Sequence, residues 1–490
     1  MVPPPGRPGA GRPITPAFRP AYVEPPFRYP RKETLVRPFV WTTLTALMLA
    51  PALRAQTGSV ATRYRAVADR IMNTALADSA AYHRLAVLTD RFGPRFSGTS
   101  NLERAIDWIL DEMRKDGLDN VRGEPVMVPR WVRGEESAEL VEPRPRRLPM
   151  LGLGGSVATP ASGITAPVLV VKNFDDLARR AAEARGRIVL FNVPFTNYGE
   201  TVRYRGAGAI AAARAGAVAS LVRSVTPYSQ QTPHTGGMGY NDSVPKIPHA
   251  AITVEDAEML QRMQDRGERI VLRLRMSART LPDAPSRNVV AELRGSALPD
   301  QVVVLGGHID SWDVGQGAMD DGGGSVVSWE AVRLLKRLGL TPRRTVRVVL
   351  WTNEENGLRG GAGYRDAHVS ELSNHVLAME SDAGVFAPSG FGFSGSDAAF
   401  ATVREIGALL QRIGAGEVTR GGGGADIGPL AREGVPVMGL NVDGSRYFYY
   451  HHTDADTMDK LDPREMALCV AAMAVMAYVV ADLPEPLARR

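Results

Sequence analysis

A chain of 490 residues with 44% hydrophobic and 23% charged side chains is long enough for several domains, and its composition excludes a disordered, collagen-like or disulfide-stapled protein. The formal charge of +5 does not mark a nucleic-acid binder, because residues 1–55 hold eight basic side chains against Glu24 and Glu33, a net of +6 that leaves −1 for the rest. The single cysteine, Cys469, excludes an intrachain disulfide and a thiolate metal cluster, and its apolar surroundings predict a small buried residue.

Residues 1–30 contain ten prolines and little periodicity, the pattern of an extended segment. Arg31, Lys32 and Arg37 then precede the apolar run FVWTTLTALMLAPAL at 39–53, followed by a small residue at Ala55. A basic stretch, an apolar core of this length and a small terminal residue predict a secretory signal cleaved near Ala55. The run is shorter than the roughly 20 residues of a membrane span, so the body is expected to be secreted or periplasmic, with no stable membrane span after cleavage.

From 64 to 115 apolar residues recur at three- and four-residue spacing with glycine at the ends, which predicts helices. A second regime begins near 150. Short strand-type runs (APVLVV, GRIVLFNV, AVASLVR, ERIVLRLRM) alternate there with Ala-rich helical pieces and a Pro/Gly-rich turn region at 226–250. From about 286, NVVAELRG, QVVVLGGH, TVRVVLWTN, HVLAMESD and VPVMGLNVD are apolar strands separated by helices such as GGGSVVSWEAVRLLKRLG. Strands apolar on both faces predict a three-layer α/β/α sandwich with a mixed, largely parallel central sheet. The expected division is a leader at 1–55, a first part of the main domain at 56–152, a smaller insert at 153–282 and a second part at 283–490.

Polar residues of one kind gather where these strands end. His308 and Asp310 follow QVVVLGG, with Asp320 and Asp321 ten residues on; Glu354 and Glu355 follow TVRVVLWTN; Asp382 ends HVLAMES; His451, His452, Asp454 and Asp456 stand in YYHHTDADT. Carboxyl ends of strands in an open α/β sheet face the crevice where ligands bind. So many carboxylates would repel one another unless cations neutralised them, and imidazole with carboxylate suits zinc, with manganese or cobalt as rivals. No GxSxG elbow is present, and the glycines at 421–424 lack the Lys-Ser/Thr of a phosphate-binding loop. They are read as a flexible loop facing substrate. His83, His234, His249, His368 and His375 are read as structural, with His234 a candidate to overhang the site.

The set HxD, AxDD, EE, a strand-terminal Asp and HxxxDT resembles the zinc-dependent exopeptidases of the bacterial secreted aminopeptidase and glutamate carboxypeptidase family. The resemblance implies two zinc ions per chain, one held by His308 and Asp382, the other by Glu355 and His452, with Asp320 bridging. It also implies Glu354 as general base, Asp310 as the carboxylate that orients His308, and Asp456 in a similar supporting role. The insert resembles a β-rich protease-associated domain. Many relatives carry a Tyr before the last His ligand; here that position is His451, the candidate oxyanion donor. Asp426 is a candidate contact for a substrate amine. The implied activity is hydrolysis of dipeptides or short peptides, with a homodimer also implied; which end is trimmed stays open. A non-catalytic receptor-like homologue and a glutaminyl cyclase-like acyltransferase are the alternatives. The complete set of five ligands and a base speaks against the first, and the insert with two full metal sets against the second.

Overall fold

Three helices, Val60–Leu76, Ala80–Phe92 and Ser100–Lys115, open the computed structural model, which describes residues 59–489; the leader and its signal segment lie outside the described residues. Thr99 caps the third by accepting from the Leu102 N–H, Arg114 and Lys115 close its last turn, and one face carrying Leu102, Ile106, Ile109 and Met113 is buried.

The main sheet has eight strands in the order Asp119–Val132, Arg279–Leu293, Arg344–Trp351, Leu298–His308, His375–Glu380, Val437–Val442, Pro388–Ser394 and Glu417–Arg420. The central four are mutually parallel and the outer pairings are mostly antiparallel, so the sheet is mixed as expected. Alternation along each strand sends side chains to two separate cores: Val303, Leu305, Val346, Val348 and Leu350 pack under the N-terminal helices, Gly323–Arg337 and Pro463–Asp482, whereas Val302, Val304, Val349 and Trp351 meet Tyr364, Leu372 and Leu430 on the other face. That is the α/β/α sandwich. Three strands had no sequence signal. Asp119–Val132 contains Pro125, Pro129 and Gly123, which a central strand does not tolerate, and it forms a sheet edge. Pro388–Ser394 and Glu417–Arg420 are short and rich in glycine or polar residues.

A second eight-stranded sheet runs from Arg146–Leu148 through Glu136–Glu142, Val271–Met276, Ile164–Val171, Ile188–Phe191, Ala219–Arg223 and His249–Ile252 to Met150–Gly152. Its first strand begins at Glu136, ahead of residue 153, because the edge strand Asp119–Val132 passes almost directly into it. The chain returns beside its entry point, with Trp131 paired to Thr280 and Val132 to Arg279.

Candidate functional site

Register brings the chemistry together. Strand Leu298–His308 lies parallel to Arg344–Trp351 with His308 opposite Trp351, and parallel to His375–Glu380 with Gly306 opposite Glu380. His308, the Glu354-Glu355 pair and Asp382 therefore emerge at the same end of the sheet, as the crevice rule requires. Asp320 arrives from the loop before helix Gly323–Arg337, and His451 and His452 from the segment after strand Val437–Val442.

Asp320 is the centre. Its Oδ1 lies 3.4 Å from His308 Nε2, which is also 3.4 Å from Asp382 Oδ1. Its Oδ2 lies 3.3 Å from His452 Nε2, which is 3.0 Å from Glu355 Oε2. Asp320 is thus shared between His308 with Asp382 on one side and His452 with Glu355 on the other. Asp320 Oδ2 and Glu355 Oε1 are buried and accept no hydrogen bond. Orphaned carboxylate oxygens cost free energy unless a cation meets them, and imidazole with carboxylate oxygen is a donor set suited to zinc-type ions, so these residues fit a pair of divalent metals. Burial alone would raise the Asp320 pKa, but the imidazoles of His308 and His452 beside it prevail and hold it well below the carboxylate norm. Burial, together with the charges of Asp382 and Glu355, pushes Glu354 well above its usual value; burial raises Glu355 to about 7.

The supports differ in detail from expectation. The carboxylate of Asp310 does not grip His308; Nδ1 of His308 meets the Asp310 backbone carbonyl at 2.9 Å and stands 3.7 Å from its Oδ1. The side chain is turned away because it accepts the backbone N–H groups of Glu354 and Glu355, at 3.0 and 3.3 Å. Asp456 accepts from the Met319 and Asp320 N–H groups and so aims the shared carboxylate; burial lifts its pKa to about 7. Arg95, which the sequence did not single out, is fully buried and donates to the carbonyls of Ile309, Gln316 and Gly317, tying the loop that leads to Asp320.

A cavity of about 910 Å³ opens over these groups. It is lined by Glu354, Glu355, Asp382, His308, His451 and His452 together with Trp131, Tyr198, Arg205, Met238, Leu358, Tyr447 and Phe448. His451 lines it, stacked on His452 with ring centroids 3.5 Å apart and its Nε2 3.6 Å from Asp320 Oδ2. Burial and the neighbouring His452 hold its pKa well below the usual imidazole value, so the ring is neutral and carries one N–H donor.

Two expectations need correction. Asp426 does not face the cavity. It is 1% exposed, and its carboxylate has no hydrogen-bond partner; burial and the nearby Glu380 and Glu354 raise its pKa well above normal. The glycines at 421–424 are not a loop over substrate either, because Gly422 abuts the Gly392 backbone and a Cβ on Gly424 would sit 2.1 Å from Cδ of Glu380. His234 lies behind His451 and His452, buried, with its pKa lowered to about 3 by burial and by His452.

The model of peptidase family M28 matches residues 288–477. The chain is 52% identical to Carboxypeptidase Q of Bos taurus over 429 residues, covering 87% of this chain and 91% of that one, and 52% identical to Carboxypeptidase Q of Homo sapiens, covering 86% and 90%. Among solved structures, a peptidase M28 precursor from Shewanella amazonensis SB2B superposes with a TM-score of 0.84 at 36% identity, covering 87% of this chain and 98% of that one. A zinc aminopeptidase from Bacillus subtilis shares the fold, with a TM-score of 0.62 at 22% identity over 83% of this chain and 98% of that one.

Proposed function

Since the chain belongs to peptidase family M28 and is a metallopeptidase acting on peptides, we propose that it is an exported exopeptidase that hydrolyses dipeptides or short peptides with two zinc ions. The observation that carries this is Asp320 shared between the His308–Asp382 and Glu355–His452 sets. In this reading His308 and Asp382 hold one ion, Glu355 and His452 the other, and Asp320 both. The ions, when bound, make a water nucleophilic near neutral pH and polarise the scissile carbonyl.

Everything else is work for side chains. Glu354, lining the cavity with a raised pKa, takes a proton from the attacking water on its carboxylate and returns it to the leaving amine. Asp310 holds the backbone of the Glu pair so that one carboxylate serves metal and the other water. His451, neutral and facing the cavity, supplies an N–H to the developing oxyanion. The segment 136–276 is the protease-associated-like piece, and it walls the cavity that receives the peptide. In this reading the signal pattern at 31–55 directs export, and the chain assembles as a homodimer.

The test is metal analysis of the purified protein with a dipeptide panel carrying blocked amino or carboxyl termini. Close to two metals per chain, turnover abolished by chelation and restored by zinc, and sensitivity to one blocked terminus are expected. Turnover retained in the fully stripped protein contradicts the reading.

A further inference from the structure

His308 and His452 present Nε2 to the same carboxylate, yet their Nδ1 atoms are held from different parts of the molecule. His308 Nδ1 meets a carbonyl of its own loop, Asp310. His452 Nδ1 meets the carbonyl of Thr235 at 3.2 Å, and the Thr235 N–H donates back to the His452 carbonyl at 3.0 Å. Thr235 belongs to the turn region between strands Ala219–Arg223 and His249–Ile252 of the second sheet.

The same Thr235 carbonyl accepts from Nη1 of Arg205 at 3.3 Å, and Nη1 also lies 3.4 Å from His452 Nδ1. A guanidinium only donates, and a carbonyl has two lone pairs. With Nε2 turned towards Asp320 and Glu355, the consistent arrangement has Nδ1–H and Arg205 both donating to the Thr235 oxygen, leaving the Nε2 lone pair for a metal. His452 also has a left-handed φ of 60°, a conformation that surrounding structure must enforce.

Arg205 is built for this place. It sits on helix Tyr198–Arg214, is 7% exposed, and donates from Nη2 to the Tyr198 hydroxyl at 2.8 Å. Gly236 makes room for it: a Cβ there would lie 2.2 Å from the guanidinium carbon. Among the described residues it makes no ion pair, so its charge is held by neutral acceptors alone, a costly arrangement for a buried cation with no task.

We propose that Arg205 is a positioning residue for the His452 half of the metal centre: by clamping the Thr235 carbonyl it fixes the Nδ1–H tautomer of His452, so one of the two ions depends on the second sheet while the other does not. The inference rests on His452 being a ligand. Its test is calorimetric titration of zinc into the stripped full-length protein, for wild type, Arg205→Gln, Arg205→Lys and His452→Ala, alongside kcat and KM for a cleaved dipeptide.

Arg205→Gln is expected to weaken one zinc site about 10- to 100-fold and leave the other unchanged, with kcat reduced, KM preserved and kcat recovering at excess zinc. Arg205→Lys, which keeps a cationic donor group but not the planar fork, is expected to fall between. If both zinc affinities are unchanged and KM rises instead, Arg205 contacts substrate and the proposal is overturned. Should Arg205→Gln not fold, Arg205→Lys decides alone: an unaltered zinc profile overturns the proposal. His452→Ala separates the two layers, since retention of both ions in that variant removes the premise, whereas loss of one ion there with no change in the Arg205 variants removes only the inference.

Discussion

Asp310 divides its work between two groups: its backbone carbonyl faces His308 and its carboxylate carries the peptide N–H groups of Glu354 and Glu355. Replacing Glu354 by Gln removes a proton acceptor without disturbing that scaffold, so turnover is expected to fall by roughly 10²- to 10⁴-fold while zinc content stays at the wild-type level; steady-state kinetics paired with metal analysis check both halves. A second residue-scale expectation concerns Gly424. A methyl group there collides with the Glu380 carboxylate, which accepts the Ile427 N–H at 3.0 Å and is wedged beside Asp426, so Gly424→Ala should lose about 1–3 kcal/mol of stability in denaturant titration. At this scale His308, Glu354, Glu355 and Asp382 were legible because each follows an apolar strand. Arg95 and Arg205 were not, since one sits in a loop and the other mid-helix, and their partners lie over 200 and up to 247 positions away along the chain. Asp426 misled because a polar residue after glycines looks exposed, whereas here Gly424 is packed against Glu380 and Asp426 is buried behind it.

Among elements, helix Pro463–Asp482 illustrates how composition alone can deceive. By length and composition it could cross a membrane, but it is buried inside the protein against helices Val60–Leu76 and Gly323–Arg337. Cys469 is buried on it as expected, its Sγ donating to the Phe386 carbonyl at 3.2 Å. A helix that is apolar on all sides is a core helix, so Met473→Ala should cost about 2–5 kcal/mol in urea unfolding rather than alter partitioning into detergent. The central parallel strands could be located from sequence because burial on both faces leaves an uninterrupted apolar run. The edge strand Asp119–Val132 could not, because edges admit proline and polar residues that interior strands reject.

For the molecule as a whole, protonation of interior imidazoles sets an acid limit. Burial lowers the pKa of His249 to about 4, and burial does the same for His375. A histidine whose folded pKa is depressed stays neutral in the fold while the unfolded chain takes up a proton, so its contribution is complete above about pH 6.5 and is lost as pH falls towards 4. For each such residue the swing approaches about 3 kcal/mol. The stability difference between wild type and His249→Gln, followed by urea unfolding from pH 7.5 to 4.5, should shift steadily across that window; a flat difference rules the assignment out. The three-layer plan was readable from the alternation of strand and helix patterns, but the start of the second sheet was not, because Glu136–Glu142 continues the preceding edge strand with no turn residues strong enough to mark a border.

The chain leaves the main sheet at Val132 and re-enters at Arg279, and these two residues are paired neighbours. A two-strand neck of this kind makes the intervening stretch a cassette: a foreign module with closely spaced ends could be spliced there without rethreading the host. Such an exchange would carry away Thr235 and Arg205, whose contacts hold His452, so a replacement would have to supply that clasp as well as a new lining for the cavity.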